Sequence, residues 1–174
     1  MKSSFCKPLV ELAEKKFRDV PKEAGVYVIF WIRNGKPVAI PRIRGVDEKG
    51  ILYMGSTKNL RQRIRDLWRS IQVARGLKDQ NSYPHTFGVS LLYTGLCDAI
   101  ADRELCIYFK VFNNEDAEYW EKVMLLEYTR RYGEPPPLNL NVGRKYLLIV
   151  DLGVFDESRF VEDLDPELHK ALGL

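Results

Sequence analysis

The apolar positions of this chain repeat with two different periods. In AGVYVIFWI (24–32), Val26, Val28, Phe30 and Ile32 alternate with Tyr27, Ile29 and Trp31. Apolar residues on both sides of the pleat predict a strand covered on both faces. Arg33-Asn34-Gly35-Lys36 follows, and Asn-Gly predicts a tight hairpin, because both central residues of its turn need positive φ. Pro37 and Pro41 remove ladder donors from the returning arm, which is therefore an edge strand or irregular. GVDEKG (45–50) is a second turn, and ILYMG (51–55) a second strand. LCIYFKVF (105–112) alternates Leu105, Ile107, Phe109 and Val111 as a third.

The other segments follow the helical period. Residues 9–18 form a short helix ended by Pro21. Leu60, Ile64, Leu67, Trp68 and Ile71 fall on one stripe, and Asn59 with Gln62 has the form of a capping box. Residues 113–133 carry an Asn cap, acids in the first turn, arginines in the last and Gly133 beyond the end, all marks of a helix. Residues 81–101 show no clean period and predict a helical or irregular apolar segment carrying His85. Three strands among several helices predict an α/β (α+β) domain with a small, mainly antiparallel sheet and an inserted hairpin. Three parts are expected: an N-terminal helical extension (1–23), a central domain (24–143), and an acidic C-terminal extension (144–174) packed on it.

Charge is segregated along the chain. The 174 residues carry a net charge of only +3. Residues 56–78 nonetheless hold Lys58, Arg61, Arg63, Arg65, Arg69, Arg75 and Lys78 against Asp66, while the segment from Asp151 onward is acidic. A local basic surface predicts a phosphate-bearing partner, although a solvated helix face balanced by the acidic tail fits the same pattern. Three cysteines without a C-x-x-C pair and two histidines argue against structural zinc or a disulfide framework. No apolar run reaches the roughly 20 residues of a membrane span. The N-terminus lacks an apolar signal core, so a cytoplasmic location with no membrane partner is expected.

One acid is oddly placed. Trp120, Val123 and Met124 define a stripe on the 113–133 helix, and Glu127 falls within it. A carboxylate facing a core must be ion-paired or hold a cation, and helix position leaves both readings open.

In order and spacing, these pieces resemble the GIY-YIG nuclease family. Gly25-Val26-Tyr27 and Tyr53-Met54-Gly55 are similar to its two half-motifs. Ser56, Asn59-Leu60 and Arg63 match the run that follows the second. Glu127 on a helix and Asn139 twelve residues later are similar to its acid and amide. The resemblance spans about residues 24–142. It departs in the long insertion between the half-motifs and at Leu67, where many members carry a histidine or tyrosine, a role His85 could fill from elsewhere.

The resemblance implies an endonuclease of repair, recombination or restriction type that hydrolyses phosphodiester bonds in DNA, with RNA the other candidate. One divalent ion, Mg²⁺ or Mn²⁺, would sit on Glu127. Arg63 would hold the scissile phosphate, since its planar fork suits phosphate oxygens. Tyr27 and Tyr53 would orient or deprotonate the attacking water, and Asn139 would keep the network in register. Gly25 and Gly55 would be structural turns permitting close backbone approach. Lys58, Arg61, Arg65, Arg69 and His85 would line the nucleic-acid path. Specificity would come from the insertion, the tail, a homo-oligomer or a protein partner. The rival expectation is a non-catalytic nucleic-acid-binding module on the same fold.

Overall fold

β2 (Gly25–Arg33) is the centre of the sheet, and its alternating apolar residues explain why. Our computed structural model describes residues 6–77, 85–140 and 166–173. On one side β2 pairs antiparallel with β7 (Leu105–Val111), which pairs in turn with β1 (Lys7–Pro8). On its other side it pairs antiparallel with β6 (Ile51–Thr57), which has no second neighbour among the described residues. A two-residue β3 (Lys36–Pro37) closes the Asn34-Gly35 turn, both of whose residues have positive φ, 52° and 74°. The three expected strands and the hairpin, with β3 as the start of its returning arm, are thus all present, and the sheet gains β1. β4 (Ile40–Arg42) and β5 (Gly45–Asp47) form a separate ribbon inside the insertion.

Two apolar layers cover the sheet. Tyr27, Ile29, Leu52 and Ile107 pack against α1 (Leu9–Glu14), α2 (Leu60–Ala74) and α3 (Thr86–Tyr93), through Leu12, Leu60, Ile64, Phe87 and Leu91. Val26, Val28, Phe30, Ile51 and Met54 pack against α5 (Asn114–Tyr132) and α6 (Pro166–Leu172), through Met124, Leu125, Tyr128, Leu168 and Leu172. α4 (Leu96–Ala99) and a 3₁₀ turn (Asp102–Glu104) lead into β7. The protein is therefore a mixed α+β fold with six α-helices among the described residues. No described helix is long and apolar enough to cross a membrane. Residues 141–165, with most of the acidic tail, lie outside the described residues, as does Lys78 of the basic run.

Two local irregularities shape the edge of the sheet at β6. The β2–β6 register shifts from Ile29↔Tyr53 to Phe30↔Ile51, so Leu52 is an extra residue and both Leu52 and Tyr53 turn toward α2 and α3. Beyond it, Gly55 lies opposite Tyr27. A Cβ on Gly55 would meet the Tyr27 hydroxyl at 2.7 Å, and one on Gly25 would overlap the Lys110 carbonyl. Both glycines are close-approach positions, and the Tyr27 phenol lies across the bare backbone of the sheet's edge.

Candidate functional site

Tyr27, Tyr53 and His85 form one aromatic cluster beside that edge. The two phenol rings stack at 6.1 Å between centroids, and the imidazole stands edge-on to Tyr53 at 5.7 Å. His85 caps α3, its Nδ1 accepting the Phe87 N–H at 3.0 Å. The one proton of a neutral imidazole then sits on Nε2, which donates to the Tyr27 hydroxyl oxygen 3.0 Å away. Burial keeps that ring neutral, with help from the Arg63 charge, and lowers its pKa to about 4. The expected place of His85 along the nucleic-acid path is not the one it occupies. It is buried, and its contact is with a catalytic candidate.

Burial raises both phenols, Tyr27 well above its ordinary value, while the Arg63 guanidinium works against the rise in each. Tyr27 is 1% exposed, whereas Tyr53 is only partly covered and is the phenol nearer solvent. Arg63 extends from the first turns of α2, which begins where Asn59 accepts the Gln62 N–H at 3.0 Å. The other half of the expected capping box is missing, because the Gln62 amide turns to Asp66. Arg63 makes no side-chain hydrogen bond or ion pair with any described residue. Its charge acts on Tyr27, Tyr53, His85 and one carboxylate, that of Glu121.

That carboxylate corrects the sequence reading of α5. The buried residues of α5 are Ala117, Val123, Met124, Leu125, Tyr128 and Tyr132; all but Val123 share one stripe, and at about 100° per residue Glu121 lies in its middle. Trp120 is only partly covered and sits on the flank, so a stripe anchored there is displaced. Glu127 falls outside the true stripe, has a 31% exposed side chain and is paired with Arg130 at 3.3 Å. Glu121 accepts the Ser56 hydroxyl proton through Oε2. Its pKa is raised by burial, against the opposing hydrogen bonds of Ser56 and the charge of Arg63. The signal that could have found it is the phase set by Tyr128 and Tyr132, whose rings pack at 4.6 Å inside the same layer.

Asn139 is buried behind β6. Its Oδ1 accepts the Met54 N–H at 2.9 Å and its Nδ2 donates to the Met54 carbonyl at 2.9 Å. This two-point clamp holds the strand between Tyr53 and Gly55. A cleft of about 460 Å³ opens alongside, between the starts of α2 and α5, lined by Ser56, Lys58, Asn59, Arg63, Asp66 and Glu118 among others.

The remaining basic residues divide. Lys58 is exposed on the cleft, and Arg65 and Arg69 are exposed on α2. Arg61 is not available to a ligand in the same way, since it donates to the Val20 carbonyl at 2.7 Å and the Arg18 carbonyl at 3.2 Å, closing the α1–β2 loop.

Among the described residues no three His, Cys, Asp or Glu side chains converge as a cation cage. The hard oxygens of Glu121 fit an ion that keeps most of its waters and takes its other ligands from a substrate phosphate, as magnesium does. No family model, curated protein or solved structure matches the chain.

Proposed function

We propose that this protein is a divalent-cation-dependent endonuclease of the GIY-YIG type, hydrolysing phosphodiester bonds in DNA. The observation that carries the reading is the charge of Arg63, a guanidinium unpaired among the described residues, acting on two phenols, an imidazole and a carboxylate delivered by four other elements. Such an arrangement supplies what phosphodiester hydrolysis needs: fixed positive charge for the phosphate, an oriented water and a site for a metal ion.

In this reading Arg63 donates charge-assisted hydrogen bonds to the scissile phosphate. Tyr53, the more accessible phenol, accepts a hydrogen bond from the attacking water and orients it. His85 is a positioning residue. Its Nδ1 is taken by a backbone amide and its Nε2 carries a proton, so it holds the Tyr27 oxygen as an acceptor and leaves the Tyr27 hydroxyl hydrogen to turn toward Tyr53. Glu121 replaces Glu127 as the residue that would hold Mg²⁺ or Mn²⁺. When bound, the ion supplies Lewis-acid stabilisation of charge on the phosphate and the departing oxygen.

Plasmid nicking in Mg²⁺ and Mn²⁺ tests this. Arg63→Ala and Glu121→Gln should each lose about 10²-fold or more in rate, as removal of charge-stabilising groups does, while Glu127→Gln cuts like the wild type. Equal cutting by all four proteins would overturn the reading. Salt-sensitive DNA binding by the wild type, with no metal-dependent cutting, would leave the non-catalytic module in its place.

A further inference from the structure

Ser56 is the residue that fastens Glu121. Strand alternation after Gly55 turns it to the α5 face, opposite Val26, where its hydroxyl donates to Glu121 Oε2. Ser56 further lines the cleft together with Ala117 and Glu118, the turn of α5 that precedes Glu121. A glutamate side chain has wide rotamer freedom, which an arriving ion would otherwise have to freeze. Groups that hydrogen-bond a ligating carboxylate orient it, and their loss typically weakens metal binding by about 10–100-fold.

Resting on the reading of Glu121 as the cation's carboxylate, we propose that Ser56 is its positioning residue, fixing the carboxylate so that its remaining lone pairs are presented ready-oriented to a divalent cation. Nothing in the Tyr53-Met54-Gly55 half-motif requires a hydroxyl at the next position. It is the contact with α5 that gives this one a task.

The test is Mn²⁺ binding at one fixed pH, read by titration calorimetry and by the free-ion electron-spin signal, on wild type, Ser56→Ala, Ser56→Thr and Glu121→Gln. Ser56→Ala should bind about tenfold more weakly, and Ser56→Thr, which keeps the hydroxyl, should restore binding to within about threefold. In cleavage assays the Mn²⁺ concentration for half-maximal rate should rise about tenfold in Ser56→Ala, with the rate at saturating ion within about twofold of wild type, a split that simple loss of stability does not produce. Should Ser56→Ala fail to fold, Ser56→Cys, nearly isosteric but a weak donor, takes its place. Unchanged Mn²⁺ binding in Ser56→Ala, with Glu121→Gln abolishing it, would overturn this inference alone. Wild-type binding by Glu121→Gln would overturn the assignment of the carboxylate itself.

Discussion

His85 shows how much chemistry a single buried side chain can carry. One ring nitrogen ends a helix by accepting a backbone proton, and the other donates to a phenol, so neither is open to an extra proton. The consequence is a stability that depends on pH. The native ring has a pKa of about 4 against an ordinary 6.5. Above pH 6.5 neither folded nor unfolded chain protonates it, and its contribution is complete. As pH falls from 6.5 toward 4 the unfolded chain binds a proton that the native ring refuses, and about 3 kcal/mol of stability drains away. Urea unfolding of wild type and His85→Asn across that range should show the decline in the first and its loss in the second. Parallel curves would mean that the imidazole is not held neutral. Single residues also mark where sequence reading falls short. Glu121 is hidden because Trp120, a large apolar residue, suggests a core-facing position and is a flank residue instead. Arg61 looks like its neighbours, and nothing in a linear pattern reveals that two carbonyls of a remote loop take up its donors.

At the level of elements, legibility follows periodicity. β2, β7 and α2 each carry a clean repeat bounded by turn residues, and they, with β6 and α5, lie where the pattern puts them, although the buried face of α5 does not. α3 does not: TFGVSLLY is apolar nearly all round, and Gly88, buried against Ser70 of α2, lacks a side chain that would mark a face. β1 is two residues long and exists only through its pairing with β7, a partner about a hundred residues away in sequence. The exposed side of α2 yields the prediction proper to this scale. If Arg65 and Arg69 each neutralise one phosphate, the double substitution Arg65→Ala, Arg69→Ala should lower the slope of log affinity against log salt by about 2. Arg61→Ala should leave that slope alone and lower the melting temperature instead. Fluorescence anisotropy with a labelled duplex, repeated over a salt series, distinguishes the two, and a slope unchanged by the double substitution would move the nucleic-acid path off α2.

Over the whole molecule, a buried acid is one of several groups that tie the insertion between the half-motifs to α5. Asp47 is fully buried and accepts protons from the Lys49 and Ile51 amides at 2.8 and 2.9 Å and from the Tyr128 hydroxyl at 3.0 Å. It joins the ribbon to the last turns of α5, where Arg42 adds an ion pair with Glu134 at 3.2 Å. Asp47→Ala would strand three donors, two of them buried, and should cost about 3 kcal/mol or more, against about 1 for Tyr128→Phe, which removes a single hydroxyl. Chemical denaturation measures both. Equal, small losses would show that the insertion is only loosely attached.

The clamp of Asn139 on Met54 spans 85 positions of the chain. During synthesis, everything needed for the sheet and for α2 is made well before the residue that completes the tie. A ribosome-bound intermediate therefore lacks the pin that sets Tyr53 against its neighbours. If the protein cuts DNA as proposed, this order of assembly would delay the fully formed cutting centre until residue 139 had been made.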